Sequence, residues 1–194
     1  MKKFVFYGDG LLCPNEGYGE QMADLLVLRH PGAPFQSYHP GEPNLTLEVA
    51  FKEAPLHVVG KAPDFVYLSL GHADLLRAAD TAAIRAKLEA LLQLILQKTG
   101  AQTAFASACE AFFPEESQRE KAREFNASLP SLAGERVLFL DLNAKVNAFL
   151  EKHRQGAGEK RALHLSPLRL TSMGRVFFSH TAWESLSWES SLGT

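Results

Sequence analysis

Cysteine and histidine side chains follow several apolar runs of this 194-residue sequence, and these residue types can do chemistry. They are Cys13, His39, His72, Cys109 and His164. A thiol beside an imidazole can act as a nucleophile with its base, and the same side chains are soft metal ligands. The sequence contains no C-x-x-C and no H-x-x-x-H pair, so its spacing does not single out a metal site. We therefore predict neither a metal centre nor a cofactor.

Five short apolar runs of strand type alternate with segments of helical periodicity. The strand-type runs are 4–7, 35–38, 65–70, 103–108 and 137–142. The main helical segments are 19–28, 44–61 with a break near Pro55, a helix capped by Thr81 that ends at Gly100, 114–125, a helix around 146–150, and 171–188. This alternation predicts one parallel sheet with helices on both faces. Ligands bind such sheets at the carboxyl ends of the strands, so we expect a site in the loops that follow the five runs.

Several segments, in order along the chain, resemble the sequence blocks of the SGNH (GDSL) esterases. Phe6 to Leu11 reads FYGDGL and is similar to their first block, and Gly41 matches the glycine of their second block. Lys61 to Leu75 is similar to the strand that leads into their G-x-N-D block, Phe139 to Leu142 to their penultimate strand, and Leu170 to Gly174 to the leucine-threonine-x-x-glycine that opens their last helix. The resemblance implies the SGNH hydrolase fold, a flavodoxin-like three-layer α/β/α sandwich with a five-stranded parallel sheet, over a single domain 1–194.

The chemistry of that family needs a serine, a histidine and an aspartate together with donors that hold the oxyanion. Here the position that matches the nucleophile is Gly10, and the position that matches the asparagine donor is Ala73. Gly10 and Gly41 can each still offer a backbone N–H. Because the loss of one oxyanion donor typically costs about 10²–10³ in rate, the resemblance implies the fold of an esterase without an intact catalyst.

The last catalytic block, aspartate-x-x-histidine in the family, matches this chain in either of two registers. One register places the histidine on Arg169 and the aspartate on Ser166. The other keeps His164 as a base but places Arg161 where the aspartate should be. A guanidinium stays protonated at ordinary pH, so neither arginine can replace a base or an anionic partner. The triad is broken in both registers.

The predicted binding cleft comprises the residues that match these blocks: Asp9, Gly10, Gly41, Gly71, His72, Ala73, Asp74, His164 and Arg169. We expect Asp9 and Asp74 to hydrogen-bond loop backbone, as short carboxylates do in turns. The first hypothesis is a non-hydrolytic binding or regulatory module. Its ligand would be small and acylated or anionic, held by the two glycine amides and an arginine.

Two other hypotheses stay open. One is an active acyl hydrolase with a relocated nucleophile, Cys13 or Ser107, and with His164 or His72 as its base. The other is an interaction protein that binds a second copy or a protein partner through its last predicted helix. That helix carries aromatic side chains that otherwise fill a core: Phe177, Phe178, Trp183 and Trp188.

Charge and hydropathy limit the partners. The chain has 20 basic and 22 acidic residues and a formal charge of -2, which predicts binding neither to nucleic acid nor to an anionic membrane. Its longest apolar stretch, 91–96 apart from Gln93, is much shorter than the ~20 residues of a membrane span. Two cysteines suit a reducing compartment, and the run 4–7 is too short for a signal peptide, so we expect a cytoplasmic protein.

Overall fold

The core of the structure is a sheet of five parallel strands. The structure is a computed structural model that describes residues 1–15, 17–152, 163–166 and 169–186. The strands are β1 (Lys2–Gly8), β2 (Phe35–Tyr38), β3 (Phe65–Ser69), β4 (Gln102–Ala106) and β5 (Val137–Leu140). Their order across the sheet is β2-β1-β3-β4-β5, and every neighbouring pair is parallel. This is the flavodoxin-like order, and the predicted fold class is confirmed.

Helices cover both faces of the sheet. They are α1 (Gly19–Arg29), α2 (Leu47–His57), α3 (His72–Leu76), α4 (Thr81–Lys98), α5 (Glu116–Ser128), α6 (Leu142–Lys152) and α7 (Ser172–Ser185). Short 3₁₀ turns lie at Val59–Lys61, Glu110–Phe112 and Leu129–Leu132. Helices α2, α4 and α5 share one core with the sheet, and α1, α6 and α7 share the other. Among the described residues, no helix combines the length and the apolar character that crossing a membrane requires.

Side chains of the central strands alternate between these two cores. Phe4 and Phe6 of β1 pack with α1 and α7, whereas Val5 and Tyr7 pack with α2 and α4. All four are at most 1% exposed. Because both faces are covered, the strand is apolar at consecutive positions, which is why the sequence shows runs rather than alternation.

Pro55 does not break its helix, contrary to the sequence-based expectation. Helix α2 runs without interruption from Leu47 to His57, with Pro55 in its last turn. A proline in a helix leaves the carbonyl four residues earlier without its donor. That carbonyl belongs to Phe51, a residue that is 40% exposed and so can be hydrated. The cost of the proline is therefore small at this place.

The N-cap of α4 is Asp80 rather than the predicted Thr81, which is the first residue of the helix. The Asp80 carboxylate accepts the N–H of Ala83 at 2.9 Å. We expect Asp80→Ala to lower the free energy of unfolding by about 1 kcal/mol and Asp80→Ser to preserve most of it, because serine also caps well. Urea denaturation of both variants measures the difference. Equal losses in the two variants would show that the side-chain cap does not matter.

An antiparallel hairpin, which the sequence did not predict, precedes the last helix. Its strands are β6 (His164–Ser166) and β7 (Arg169–Leu170). The predicted end of the last helix at Trp188 lies outside the described residues.

Candidate functional site

Asp9 joins two loops at the carboxyl edge of the sheet. Its carboxylate is fully buried, and Oδ2 accepts the backbone N–H of His72 at 3.1 Å. Oδ1 lies 3.5 Å from the N–H of Leu11 in its own loop. Its own N–H donates to the Ser69 carbonyl at the end of β3. Asp9 thus fixes the loop after β1 against the start of α3, the structural role expected of it.

Asp74 has a similar structural role toward another element. Its Oδ2 accepts the N–H of Leu47, the first residue of α2, at 3.0 Å. Burial raises the pKa of the Asp74 carboxyl, and the negative charge of Asp9 adds to the rise, while the bond from Leu47 opposes it. The carboxylate bonds backbone as expected, but at the first residue of a helix rather than in a loop.

His72 is buried, and its bonding explains why it is a poor base. The side chain is 2% exposed, and its Nε2 accepts the backbone N–H of Cys109 at 2.9 Å. The ring is therefore neutral with its proton on Nδ1. Nδ1 lies 3.7 Å from Oδ2 of Asp9 and has no hydrogen-bond partner among the described residues. The lone pair that a catalytic base needs is already used by the protein backbone.

In space, the His72 ring lies between Cys109 and Asp9, which is the arrangement of a nucleophile, a base and an orienting carboxylate. The imidazole, however, accepts from the backbone of Cys109. The thiol is 1% exposed, and burial, followed by the charge of nearby carboxylates, raises its pKa. Because the thiolate is the reactive form, this thiol is held in its inert state.

The two backbone donors predicted for the cleft are both bonded within the protein. The N–H of Gly10 donates to the Pro43 carbonyl at 3.1 Å, and the N–H of Gly41 donates to the His39 carbonyl at 3.0 Å. A Cβ on Gly41 would lie 2.5 Å from the carbonyl oxygen of Gly8, so glycine is required there by a close approach of backbones. The expectation that these amides point into an open site is wrong for this structure.

The segment that matches the G-x-N-D block turns sharply from β3 into α3. Gly71 has a φ of 106°, in the left-handed region that favours glycine, and a Cβ there would lie 3.1 Å from the ring of Phe125. Ala73, at the position that matches the asparagine, is 2% exposed. A methyl group here packs in the interior and offers nothing to an oxyanion.

The relocated nucleophiles are engaged as well. Cys13 is 2% exposed, and its Sγ lies 3.4 Å from the Gly10 carbonyl oxygen. Ser107 is 1% exposed, donates its hydroxyl to Asp141 at 3.1 Å and accepts the N–H of Asn143 at 2.8 Å. These bonds tie the ends of β4 and β5 together, so Ser107 has a structural role.

His39 lies over Phe6 with the two rings stacked at 5.0 Å. Burial lowers the pKa of its imidazole, which favours the neutral ring. Within the ranges that the structure describes, no three histidine, cysteine or acidic side chains are grouped as metal ligands.

The aromatic side chains of α7 belong to the interior. Phe178 is 1% exposed and packs on the ring of Tyr18 at 5.3 Å. Phe177 and Trp183 are partly buried against the same core, and Trp188 lies outside the described residues. Of the two readings of these aromatics, the core role fits the three that are described.

A scan against protein-family models matches residues 6–168 to the GDSL-like Lipase/Acylhydrolase family. The chain belongs to this family. A comparison with curated protein sequences finds no match.

Solved structures share the same fold. A single-residue variant of Axe2, an acetyl-xylooligosaccharide esterase from Geobacillus stearothermophilus, superposes with a TM-score of 0.80 at 17% identity, over 100% of this chain and 94% of that one. The unmodified Axe2 gives 0.78 at the same identity and coverage. The acetyl xylan esterase AlAXEase gives 0.79 at 18% identity, over 95% of this chain and 99% of that one. Axe2 variants in which a serine, an aspartate or a histidine is replaced by alanine are called catalytic mutants.

The leucine-threonine-x-x-glycine segment, 170–174, lies beyond the residues that match the family model, and it begins the last helix. Thr171 is the N-cap of α7, and its hydroxyl accepts the N–H of Gly174 at 3.0 Å. The N–H of Thr171 donates to the Leu163 carbonyl at 3.1 Å. A Cβ on Gly174 would overlap that same carbonyl oxygen. Threonine and glycine here serve to start a helix against the hairpin.

The candidate bases of the last block lie on that hairpin. His164 is in strand β6 and opposite Leu170, because the chain pairs with itself here. Ser166 is opposite the exposed Arg169. The side chain of His164 and all of Arg161 fall outside the described part of the chain, so the role of His164 as a base stays a prediction.

Asn126 is a site residue that sequence reasoning missed. From α5 its side chain donates to the Ala108 carbonyl at 2.7 Å and accepts the Ala108 N–H at 2.9 Å. These two hydrogen bonds to the Ala108 backbone hold the loop after β4. In the sequence Asn126 is one polar residue of a charged helix, and no local signal shows which distant backbone it meets.

Proposed function

We propose that this chain is a non-hydrolytic member of the GDSL-like family, a binding or regulatory module rather than an esterase. The observation that carries the proposal is at Gly10, the position that matches the family's serine. It has no side chain, and its N–H is bonded to the Pro43 carbonyl at 3.1 Å. Neither a nucleophile nor an available backbone donor is present at this point of the cleft.

The bonding of the candidate base His72 supports the same proposal. A base must accept a proton from its nucleophile, and this needs a lone pair within hydrogen-bond reach of it. The Nε2 lone pair of His72 instead accepts a backbone N–H, and the ring is 2% exposed. To act as a base, it would have to give up a buried hydrogen bond first.

The candidate nucleophiles argue against the alternative of an active hydrolase. The Ser107 hydroxyl already donates a hydrogen bond to the Asp141 carboxylate, whereas the base of the serine triad is an imidazole. Cys13 is buried, and its thiol lies 3.4 Å from the Gly10 carbonyl oxygen, which is an acceptor and not a base. A small anionic ligand would have to use side chains such as Arg169, since the amides of Gly10 and Gly41 are bonded within the protein.

Hydrolysis assays test this proposal directly. With p-nitrophenyl acetate and acetylated xylooligosaccharides, we expect turnover no higher than that of a heat-denatured sample, because a nucleophile without an activating base is weak. Axe2 assayed in parallel serves as the positive control, and Cys13→Ala and Ser107→Ala as matched variants. Saturable hydrolysis that Cys13→Ala abolishes would make the protein a thiol enzyme, and loss with Ser107→Ala would make it a serine enzyme. Either result would overturn the proposal.

A further inference from the structure

His72 links three loops at the carboxyl edge of the sheet through its backbone N–H and its imidazole ring. Its own backbone N–H donates to Asp9 after β1. Its Nε2 accepts from Cys109 after β4, and its ring stacks on Phe113 at 5.8 Å with an interplanar angle of 14°. The side chain is thus the connection between the loop after β3 and the loop after β4.

One ring nitrogen of His72 faces a hydrogen-bond donor, and the other faces a carboxylate, which is an acceptor. Nε2 faces an N–H donor and needs a lone pair. Nδ1 faces the Asp9 carboxylate at 3.7 Å, beyond an ordinary hydrogen bond, and has no partner among the described residues. A neutral ring satisfies Cys109 and leaves the contact with Asp9 unused.

A second proton would reverse this arrangement. An imidazolium has donors on both nitrogens, so Nε2 would then meet the Cys109 N–H donor to donor, 2.9 Å away. At the same time the positive charge of the ring would be attracted to the Asp9 carboxylate, which lies 3.7 Å from Nδ1. We propose that His72 is an acid-sensitive clamp, which holds the Cys109 amide when neutral and releases it toward Asp9 when protonated.

Charged groups of both signs lie on the elements around the His72 ring. Asp9 lies before it, Asp74 lies two residues further along α3, and Glu110 follows Cys109. Helix α5 contributes cations as well. Arg119 donates to the Phe113 carbonyl at 2.8 Å, Arg123 pairs with Glu110 at 3.5 Å, and Lys121 donates to the Ala78 carbonyl beyond the end of α3. The proposal therefore rests on the geometry of the two ring nitrogens and not on the balance of charge around them.

The neighbours of Cys109 make the release local. The Ala108 N–H is held by Asn126 at 2.9 Å, and the Glu110 N–H is held by Asn143 at 2.9 Å. Neither amide acceptor changes its charge with pH. The Cys109 amide should lose its bond while the amides on both sides keep theirs, and this supplies an internal reference.

Amide hydrogen exchange by NMR tests the clamp on the full chain. Histidine changes its charge between about pH 5 and 8, so exchange is compared at about pH 7.5 and about pH 5.5, each corrected for the intrinsic rate. We expect the protection of the Cys109 amide to fall by about tenfold in acid, as the loss of one hydrogen bond implies, with little change at Ala108 and Glu110. Equal changes at all three amides would indicate general loosening and contradict the clamp.

The variant His72→Gln separates the clamp from other acid effects. Its side-chain oxygen can accept from Cys109 but cannot take a proton, so the protection should no longer depend on pH. His57→Gln, at a half-exposed histidine beside Glu53, should behave as the unmodified protein does. If His72→Gln keeps the pH dependence, the proposal is wrong.

The ring itself can be observed if that variant does not fold. In the unmodified protein, imidazole nitrogen shifts should show the Nδ1–H form near neutral pH. They should change to the imidazolium at the same midpoint as the loss of Cys109 protection. A ring that stays neutral until tryptophan fluorescence reports global unfolding would overturn the proposal. The result is independent of ester hydrolysis, so it stands or falls apart from the proposed function.

Discussion

Gly174→Ala should lower the free energy of unfolding by about 3 kcal/mol, because the added methyl group would occupy space that backbone atoms of Leu163 already fill. The new Cβ would overlap the Leu163 carbonyl oxygen and lie 2.8 Å from its carbon. That oxygen also accepts the N–H of Thr171, so moving it away strains the bond that joins the hairpin to α7. Urea denaturation followed by tryptophan fluorescence gives the free energy.

Gly100→Ala is the matched control for this substitution. A Cβ there would point into open space, and the backbone is not in the left-handed region. We expect a change within about 0.5 kcal/mol, or a small gain from the reduced entropy of the unfolded chain. If Gly174→Ala were as mild as Gly100→Ala, α7 could shift away from the hairpin at low cost, and the close approach would not be a constraint.

The strands were predictable because their signal is local. Phe4 to Tyr7 is buried on both faces, so the run of apolar residues itself marks the strand. Helix ends were harder, because neighbouring residues compete for one role. Thr81 and Asp80 can both cap a helix, and only the backbone decides that the Asp80 side chain meets the Ala83 N–H.

The site was predictable as a set of positions but not as a set of bonds. Gly41 and Gly71 could be located from the sequence because backbone approach and positive φ demand glycine. Whether the backbone donors are free or bonded could not be predicted, because their partners lie far along the chain. Gly10 meets Pro43 across two loops, and His72 meets Cys109, 37 residues away. Sequence spacing holds no information about which of these groups are already satisfied.

Restoring esterase activity is the second large expected effect, and it should need several substitutions together. Gly10→Ser alone should give no turnover above a heat-denatured sample, because a hydroxyl is a weak nucleophile without a base. Adding Ala73→Asn should help little by itself, because it restores an oxyanion donor but supplies no base for the new serine. Gain should appear only when a histidine and its aspartate are present.

The hairpin favours one of the two places for that pair. Ser166 and Arg169 are opposite each other in its antiparallel register, and the register is irregular between His164 and Ser166. Arg169→His with Ser166→Asp therefore places the new histidine and the new aspartate at opposed positions of the hairpin. The helix-starting roles of Thr171 and Gly174 match the family segment in the same register.

We therefore expect Gly10→Ser, Ala73→Asn, Arg169→His and Ser166→Asp together to hydrolyse p-nitrophenyl acetate at least about 10²-fold faster than Gly10→Ser alone, because a positioned base typically contributes that much. Rates are compared at equal folded concentration. The same set with Gly10→Ala is the control, and it should be inactive because it has no nucleophile.

The rival register predicts a different active combination, and its outcome decides the argument. If Gly10→Ser, Ala73→Asn and Arg161→Asp were active beside the native His164, then His164 would be the retained base, and the register inferred from the hairpin would be wrong. If Gly10→Ser alone reached a typical enzyme turnover of about 10 s⁻¹, an intact base would already be present. The native chain would then lack hydrolytic activity only because it lacks the serine, and one substitution would make it an esterase.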